Sequence, residues 1–221
     1  ELEGVEYIAG FQGGGLNPLW TGLRNSETIK VFAARNERLG VEIADGYARA
    51  TGKVGVAMTG TGPGATNTLT GIAGAFADNI PVLLLMGQVP LAQLGKEVQQ
   101  EVSASIFDTL VKWRGTMAKV EDIPSIMRRA FTEAKTPPTG PVYVGFSANA
   151  LDGEADMEII PSASGYFRLS PDKRSVADAS RLLADAERPV MVVGDRLAQS
   201  GGVAEAVRVA ELIGARVYAA S

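Results

Sequence analysis

The feature that most constrains the fold of this chain is a regular alternation of short apolar runs with longer segments of helical periodicity. The apolar runs have the length of strands, and they are Glu6–Gly10, Ile29–Ala33, Val54–Thr59, Val82–Met86, Lys112–Ala118 and Val142–Phe146. The intervening segments repeat apolar residues at helical spacing, and they are Leu16–Leu23, Glu37–Thr51, Gly64–Ala77, Ser103–Leu110 and Asp122–Lys135. Alternation of this kind predicts an α/β fold with a mostly parallel sheet and helices on both of its faces.

Several boundary residues are of the types that begin and end helices. Asn36 suits the N-cap of the helix predicted from Glu37, and Gly52 stands where a C-terminal glycine is expected. Pro124 lies in the first turn of the helix predicted at Asp122–Lys135, where its missing N–H group costs little. These signals agree with the predicted elements.

The composition changes between Ser147 and Pro171, where Ser, Ala, Gly, Asp and Pro are frequent. This stretch holds a small acidic group without the spacing of a calcium loop, namely Asp152, Glu154, Asp156 and Glu158. We interpret the stretch as a solvated linker rather than a metal site.

After this stretch the α/β pattern resumes, with helix Val176–Ala186, strand Val190–Gly194, helix Val203–Ile213 and strand Arg216–Tyr218. Two strands and two helices are too few to cover both faces of a sheet, so we predict an incomplete second α/β unit. We divide the chain into a first domain at residues 1–147, a linker at 148–171 and a truncated domain at 172–221. We therefore expect the chain to be a fragment of a longer protein.

Two missing residue types narrow the chemistry. The 221 residues include no cysteine, which excludes disulfides, thiolate metal sites and a cysteine nucleophile. They include no histidine, which excludes a Ser-His-Asp triad and the commonest general base. The net charge of −4 gives no sign of a basic face for nucleic acid or an anionic membrane. The longest apolar stretch, near Ile80–Met86, is too short to cross a bilayer, and without a signal peptide we expect a cytoplasmic protein.

A glycine-rich corner, GTGPGA at Gly60–Ala65, lies between a predicted strand and a predicted helix. It fits the loose dinucleotide pattern G-x-G-x-x-G/A, but no acidic residue follows the next strand at Met86-Gly87-Gln88 to hold a ribose. Pro63 also removes one of the N–H groups that a phosphate needs. These features disfavour a dinucleotide site and leave two further interpretations: a tight turn that packs the helix against the strand, or a site for something other than phosphate.

Glu37 stands in the first turn of its predicted helix, where a carboxylate commonly complements the helix dipole. Its position also follows the Ile29–Ala33 strand directly, as the glycine corner follows the Val54–Thr59 strand. Open α/β sheets bind ligands at the carboxyl ends of their strands, so we expect both features at the same edge of the sheet. A carboxylate beside glycine-lined backbone suits a flat polar ring. Tyr47, by its helical spacing, is predicted to belong to the core.

Taken together, these segments resemble the thiamine diphosphate-dependent enzymes of the acetolactate synthase and 2-oxo acid decarboxylase superfamily. The matching segments are Phe11-Gln12-Gly13-Gly14, Asn36-Glu37-Arg38, ADGYARATGKVGV at Ala44–Val56, TGPGATN at Thr61–Asn67, GIAGAFADNIPVLLLMGQVP at Gly71–Pro90, Gln100-Glu101 and GPVYV at Gly140–Val144. They span Gly4 to Phe146, which is the whole first unit. The second unit, from RPVMVVG at Arg188–Gly194, looks like the start of the family's central domain.

The resemblance implies a catalytic role for Glu37. The family's glutamate hydrogen-bonds a ring nitrogen of the aminopyrimidine and favours an imino tautomer, whose nitrogen removes the thiazolium proton of the cofactor. The cofactor is then its own base, which suits a chain without histidine. The resemblance also implies residues that line the pyrimidine, namely Gly13, Gly14, Gly62, Pro63 and Asn67, and places Gln100 near the reaction centre.

The same resemblance implies partners that lie outside these residues. Mg²⁺ and the diphosphate would be held by a Gly-Asp-Gly…Asn motif in a domain that this chain lacks, and the chain itself is expected to have no metal ligands. The active site would form between two subunits, with a second copy of the chain as partner and a small 2-oxo acid such as pyruvate as substrate. The fragment alone would then be inactive. Nothing in the sequence indicates FAD.

The chain departs from the family pattern in two places. Family members often have His before the glutamate and Gln after it, where this chain has Asn36 and Arg38. A histidine often used near the substrate also has no counterpart, which leaves the 2-oxo acid open. Gly194-Asp195-Arg196 matches the diphosphate motif only in part, because no Asn follows it.

Two other functions are compatible with parts of the sequence. A non-catalytic binding or assembly module would keep the fold without the diphosphate motif, although Glu37 argues against it. A nicotinamide-dependent dehydrogenase rests on the glycine corner alone and lacks the ribose acid.

Overall fold

The computed structural model describes residues 1–13, 15–96, 101–163 and 170–220. These residues fall into two compact units that divide within the stretch 164–169. The first unit contains six strands, β1 (Tyr7–Gly10), β2 (Lys30–Ala33), β3 (Gly55–Thr59), β4 (Val82–Gly87), β5 (Trp113–Met117) and β6 (Val142–Phe146). Its α-helices are α1 (Asn17–Arg24), α2 (Glu37–Thr51), α3 (Pro63–Ala77), α4 (Ile123–Lys135) and α5 (Ala148–Asp152).

The six strands form one sheet in the order β2-β1-β3-β4-β6-β5, and every neighbouring pair is parallel. Since β1 lies between β2 and β3, the strand order reverses direction at β1. The predicted α/β fold with a parallel sheet is therefore confirmed. Because all strands run the same way, the loops that follow them gather at one edge of the sheet.

Two hydrophobic cores cover the two faces of this sheet. One core packs α1 and α4 against the strands, through residues such as Leu16, Leu23 and Phe131. The other packs α2 and α3 and the turn at Phe107 against the opposite face, through residues such as Val41 and Ile72. The central strands β3, β4 and β6 are buried along their whole length, as expected for a sheet covered on both faces.

Glycines allow α2 to approach the sheet closely. A Cβ atom at Gly55 of β3 would lie 1.9 Å from the carbonyl oxygen of Ala44 on α2. A Cβ atom at Gly40 of α2 would lie 3.1 Å from the Cα atom of Gly10 on β1. Because no side chain fits between these backbones, the position of α2 over β1 and β3 is closely fixed.

The predicted helix boundaries at α2 and α4 agree with the structure. The side chain of Asn36 caps α2 by accepting a hydrogen bond of 2.9 Å from the Arg38 N–H group. Gly52 ends α2 with a φ of 70°, in the left-handed region that favours glycine. Pro124 lies in the first turn of α4, as predicted.

The helix predicted at Ser103–Leu110 is wrong. The structure has a single 3-10 turn there, Ala104–Phe107, and strand β5 begins soon after it. Phe107 is fully buried and stacks on Tyr143 with ring centroids 4.7 Å apart. Its neighbours Ser105 and Asp108 are exposed, so one buried ring anchors the turn and no continuous apolar helix face forms.

The domain boundaries at 147 and 171 stay predictions, but part of the predicted linker is folded into the first unit. Ala148–Asp152 forms the short helix α5, which Ser147 caps by accepting from the Ala150 N–H group. Further on, Ser162 is buried and hydrogen-bonded to Glu3. The abundance of small and polar residues obscured these contacts in the sequence.

The second unit contains two parallel strands, β7 (Val190–Val193) and β8 (Arg216–Ala219), and the helices α6 (Lys173–Ala184), α7 (Asp195–Gln199) and α8 (Val203–Ile213). Helix α7 was not predicted, and Gly194 and Asp195 form its start. Throughout the described residues of both units, no helix has the length and apolar character needed to span a membrane.

Candidate active site

The candidate site lies at the carboxyl ends of β1 and β3, where the strand order reverses. Two loops meet there, because a Cβ atom at Gly13, after β1, would lie 2.9 Å from the Cα atom of Gly60, after β3. In open α/β sheets this crevice is the usual place for a ligand. The sequence-predicted features at Gly13 and the glycine corner are thus neighbours in the fold.

Glu37 lies at this edge of the sheet, because it is the first residue of α2, which follows β2. It is partly buried, and the Asn36 cap fixes the backbone that carries it. The neighbouring cation does not pair with it, because the Arg38 side chain donates to Glu42 at 2.6 Å along the same helix. The Glu37 carboxylate therefore remains available at the start of the helix.

The glycine corner brings backbone close to this carboxylate. Gly62 has a φ of 65° and a ψ of −124°, which a side chain would make unfavourable, and Pro63 begins α3. A Cβ atom at Gly64 would lie 2.8 Å from Thr59 Oγ1 and 3.5 Å from Glu37 Oε1. Glycine at these positions leaves a shallow cradle of backbone beside the carboxylate.

Asn67, also on α3, contacts Glu37 directly. Its side-chain Nδ2 donates a hydrogen bond of 3.0 Å to Glu37 Oε2. The structure thus brings together Glu37 and the glycine corner, which were predicted at the same edge, and Asn67, which the resemblance had assigned to the pyrimidine side. Gly14 and Gln100, the other two residues assigned to the site by resemblance, lie outside the described residues.

The chemistry of the cradle fits a polar ring better than a phosphate. An anion here would be repelled by the Glu37 carboxylate, and Pro63 offers no N–H group at the start of α3. The Thr61 hydroxyl is buried and finds no hydrogen-bond partner among the described residues. A carboxylate beside side-chain-free backbone is compatible with the aminopyrimidine of thiamine diphosphate that the resemblance implied.

Tyr47, predicted as a core residue, is half-buried. Its ring meets that of Tyr7 edge to face, with centroids 5.6 Å apart. It therefore packs between α2 and β1 rather than at the carboxylate.

The sequence pattern did not indicate a second cavity at the same edge of the sheet. This cavity of about 340 Å³ is lined by Gln88, Leu94, Gly95, Glu101, Ser103 and Ala104. Gln88 follows β4 and is only 6% exposed, and its Nε2 donates to the Tyr143 hydroxyl at 3.3 Å. Burial raises the pKa of Tyr143, which keeps this hydroxyl protonated. A buried glutamine at the end of a central strand is the only sequence signal that could have pointed to this cavity.

The described residues contain no group of three or more acidic side chains arranged to hold a metal ion. The acidic residues of the 152–158 stretch are exposed.

Comparisons with known proteins agree with the family resemblance. The family model described as "Thiamine pyrophosphate enzyme, N-terminal TPP binding domain" matches residues 1–107. The chain is 37% identical over 220 residues to the probable acetolactate synthase large subunit of Methanocaldococcus jannaschii. The aligned region covers 96% of this chain and 37% of that protein. The chain is also 34% identical over 215 residues to the acetolactate synthase isozyme 1 large subunit of Escherichia coli, with coverage of 96% and 37%. The chain thus spans little more than a third of the length of these relatives.

Solved structures share the fold. A protein assigned as a thiamin diphosphate-dependent enzyme from Mycobacterium smegmatis matches with a TM-score of 0.89 and 25% identity, over 99% of this chain and 42% of that one. The thiamine diphosphate-dependent 4-hydroxybenzoylformate decarboxylase of Rhodococcus jostii matches with a TM-score of 0.88 and 24% identity, with coverage of 99% and 42%. The resemblance inferred from the sequence is confirmed. The chain carries the N-terminal TPP-binding domain of a thiamine pyrophosphate enzyme and belongs to the acetolactate synthase and 2-oxo acid decarboxylase superfamily.

Proposed function

We propose that this chain forms the aminopyrimidine side of the active site of a thiamine diphosphate-dependent enzyme that acts on 2-oxo acids. Acetolactate synthase is the name carried by the relatives described above, and we propose a reaction of this kind. The observation that carries the proposal is the position of Glu37, which lies partly buried beside the Gly64 backbone at the carboxyl edge of the sheet.

Thiamine diphosphate, when bound, supplies the carbon nucleophile and the electron sink for cleaving or forming a bond at a 2-oxo carbon. Within this site Glu37 holds a proton between its carboxylate and a pyrimidine ring nitrogen. The backbone at Gly62 and Gly64 would support the ring, because a side chain at Gly62 is disfavoured by its positive φ and a Cβ atom at Gly64 would crowd the Thr59 hydroxyl. Pro63 and Gly13 would complete the pyrimidine side, and the resemblance assigns Gly14 and Gln100, which lie outside the described residues, to the same site.

The remaining parts of the proposal concern the whole protein. Mg²⁺ and the diphosphate group are held by a further domain, and the active site is completed by a second copy of the chain. Residues 1–147 form the pyrimidine-binding domain, residues 148–171 the linker, and residues 172–221 the start of a central domain. The protein acts in the cytoplasm. FAD is not part of the proposal.

The proposal is tested with the full-length protein that contains this chain, supplied with Mg²⁺, thiamine diphosphate and pyruvate. We expect pyruvate-dependent release of CO₂ that is lost in Glu37→Gln. The matched control is Glu42→Gln, since Glu42 is exposed on the same helix and pairs only with Arg38 in the described structure. Normal activity in Glu37→Gln would exclude the proposed role of Glu37. A wild-type protein that binds the cofactor but turns over no 2-oxo acid would favour a binding module.

A further inference from the structure

The two carboxylate oxygens of Glu37 have different surroundings. Oε2 accepts the 3.0 Å hydrogen bond from the amide of Asn67. Oε1 accepts no hydrogen bond within the described part of the chain, and it lies beside Gly64, where a Cβ atom would approach it to 3.5 Å. One oxygen is therefore held by the protein, and the other is left facing the cradle.

The Asn67 amide lies on a helix that packs closely against the helix of Glu37. Glu37 and Asn67 belong to α2 and α3, and these helices touch so closely that a Cβ atom at Gly71 would lie 2.8 Å from Val41 Cγ1. The position of the Asn67 amide relative to the carboxylate is thus set by the packing of two helices rather than by a loop.

Asn67 is also the one side-chain donor that reaches Glu37 among the described residues. The adjacent Arg38 is engaged by Glu42, so no cation competes for either oxygen. A hydrogen bond from a neutral amide to a carboxylate is strong, and it orients the acceptor without neutralising its charge. This is what a carboxylate needs if it is to exchange a proton with a ring.

We propose that Asn67 is a positioning residue that fixes Oε2 of Glu37 and thereby presents Oε1 to the pyrimidine, and that it does not itself bind the cofactor. This inference rests on the proposed function and changes the role that the family resemblance gave to Asn67. The nearest comparison on the same helix is Thr70, which is exposed and makes no side-chain hydrogen bond within the described residues.

The first test uses the full-length protein with Mg²⁺ and measures kcat with pyruvate and the affinity for thiamine diphosphate in the wild type, Asn67→Ala, Glu37→Gln and the double variant. If Asn67 acts through Glu37, Asn67→Ala lowers kcat by about 10- to 100-fold, as expected for a misplaced catalytic group. In the Glu37→Gln background it then leaves cofactor affinity unchanged, because the two residues act as a unit. A tenfold or larger loss of affinity in that background would overturn the inference and make Asn67 a cofactor ligand.

Two matched variants separate positioning from folding. Asn67→Asp has nearly the same shape but no N–H donor, so its kcat should fall at least as far as that of Asn67→Ala. Thr70→Ala should leave kcat and affinity unchanged. If Asn67→Asp retains wild-type kcat while its thermal unfolding is also unchanged, the hydrogen bond has no positioning role.

The hydrogen bond between Asn67 and Glu37 is tested by NMR on the 221-residue chain without cofactor. Replacing Glu37 with Ala should shift the side-chain amide resonances of Asn67 in an NMR spectrum, whereas Glu42→Ala should not. Unshifted resonances would overturn the inference. If the full-length wild type neither binds thiamine diphosphate nor turns over pyruvate, the proposed function fails, and the NMR experiment still decides whether Asn67 holds Glu37.

Discussion

Asn67 on α3 donates a hydrogen bond of 3.0 Å to Oε2 of Glu37, the first residue of α2. The two residues are separated by 30 positions in the chain and follow different strands. The orientation of the carboxylate therefore depends on how α2 and α3 pack, and changes at that helix contact are expected to reach the site.

Replacing Gly64 with Ala tests this dependence. The new methyl group would lie 2.8 Å from the buried Thr59 hydroxyl, which must shift, and in van der Waals contact with Glu37 Oε1 at 3.5 Å. We expect the free energy of unfolding to fall by about 1 kcal/mol or more, because the overlap outweighs the higher helix propensity of Ala. Affinity of the full-length protein for thiamine diphosphate should fall with it, which titration calorimetry measures.

The matched control is Gly74→Ala on the same helix, since Gly74 is exposed and a Cβ atom there would meet nothing within 4 Å. It should raise the free energy of unfolding by about 0.5–1 kcal/mol. Equal stabilisation by both substitutions would contradict the proposed crowding at Gly64.

The Glu3 carboxylate is predicted to make stability depend on pH. It accepts hydrogen bonds from Lys135 at 2.8 Å and from the Ser162 hydroxyl at 2.6 Å. Burial alone would raise the pKa of Glu3, but these hydrogen bonds outweigh it and the pKa is lowered. A carboxyl with a lowered pKa in the folded state stabilises the protein above its unfolded pKa, and this stabilisation is lost as the pH falls through the folded value.

The measurement is urea unfolding followed by the fluorescence of Trp20 and Trp113, both in the first unit. At pH 7, Glu3→Gln should lower the free energy of unfolding by about 1–3 kcal/mol, and the difference from wild type should shrink below about pH 4.5. Glu6→Gln, which removes an exposed partner of Lys53, should have a smaller effect. A constant difference between pH 7 and pH 3 would rule out the ionised Glu3 as its source.

Tyr143→Phe should destabilise the protein although it removes a single oxygen. The Tyr143 hydroxyl is the partner of the buried Gln88 amide, and Gln88 Oε1 already lacks a partner among the described residues. If Gln88 Nε2 also loses its partner, the free energy of unfolding should fall by about 1–3 kcal/mol. The double variant Tyr143→Phe with Gln88→Leu should cost less than the sum of the single changes, because it removes both polar partners. Additive losses in urea unfolding would speak against this pairing.

Lys112→Met should weaken the C-terminal end of α4. The Lys112 ammonium group donates to the carbonyl oxygens of Glu133 and Thr136, where the helix leaves acceptors unsatisfied. We expect the free energy of unfolding to fall by about 1–2 kcal/mol, because the hydrogen bonds and the interaction with the helix dipole are lost. Lys96→Met, at an exposed position without a side-chain hydrogen bond in the described residues, serves as the control in the same unfolding measurement. Equal stability of the two variants would contradict the capping role.

The fold was predictable because the buried strands leave a strong local pattern. Strand β6 was predicted with its observed bounds, Val142–Phe146, since every residue in it is buried and all are aliphatic, aromatic or glycine. Helix α2 was also predicted with its bounds, from the Asn36 cap to Gly52. The short helices α5 and α7 have five residues each and too few apolar positions for a period to appear.

The candidate site was predictable only in part. The placement of Glu37 and the glycine corner at one edge follows from a parallel sheet, and that much needs no side-chain detail. The Asn67 hydrogen bond depends on the distance between two helices, and the Gln88 side chain is held by a hydrogen bond to Tyr143, 55 residues away. Local periodicity carries no information about either distance.

The close contact between the loops at Gly13 and Gly60 limits how this edge of the sheet can change during evolution. Since no side chain fits at Gly13 or Gly64 without displacing a neighbour, almost any substitution there carries a penalty. The wall formed by Leu94, Ser103 and Ala104 has no such restriction, because it borders an open cavity. Substitutions at Gly13 and Gly64 are therefore expected to cost stability, whereas the wall of the cavity has space for larger side chains.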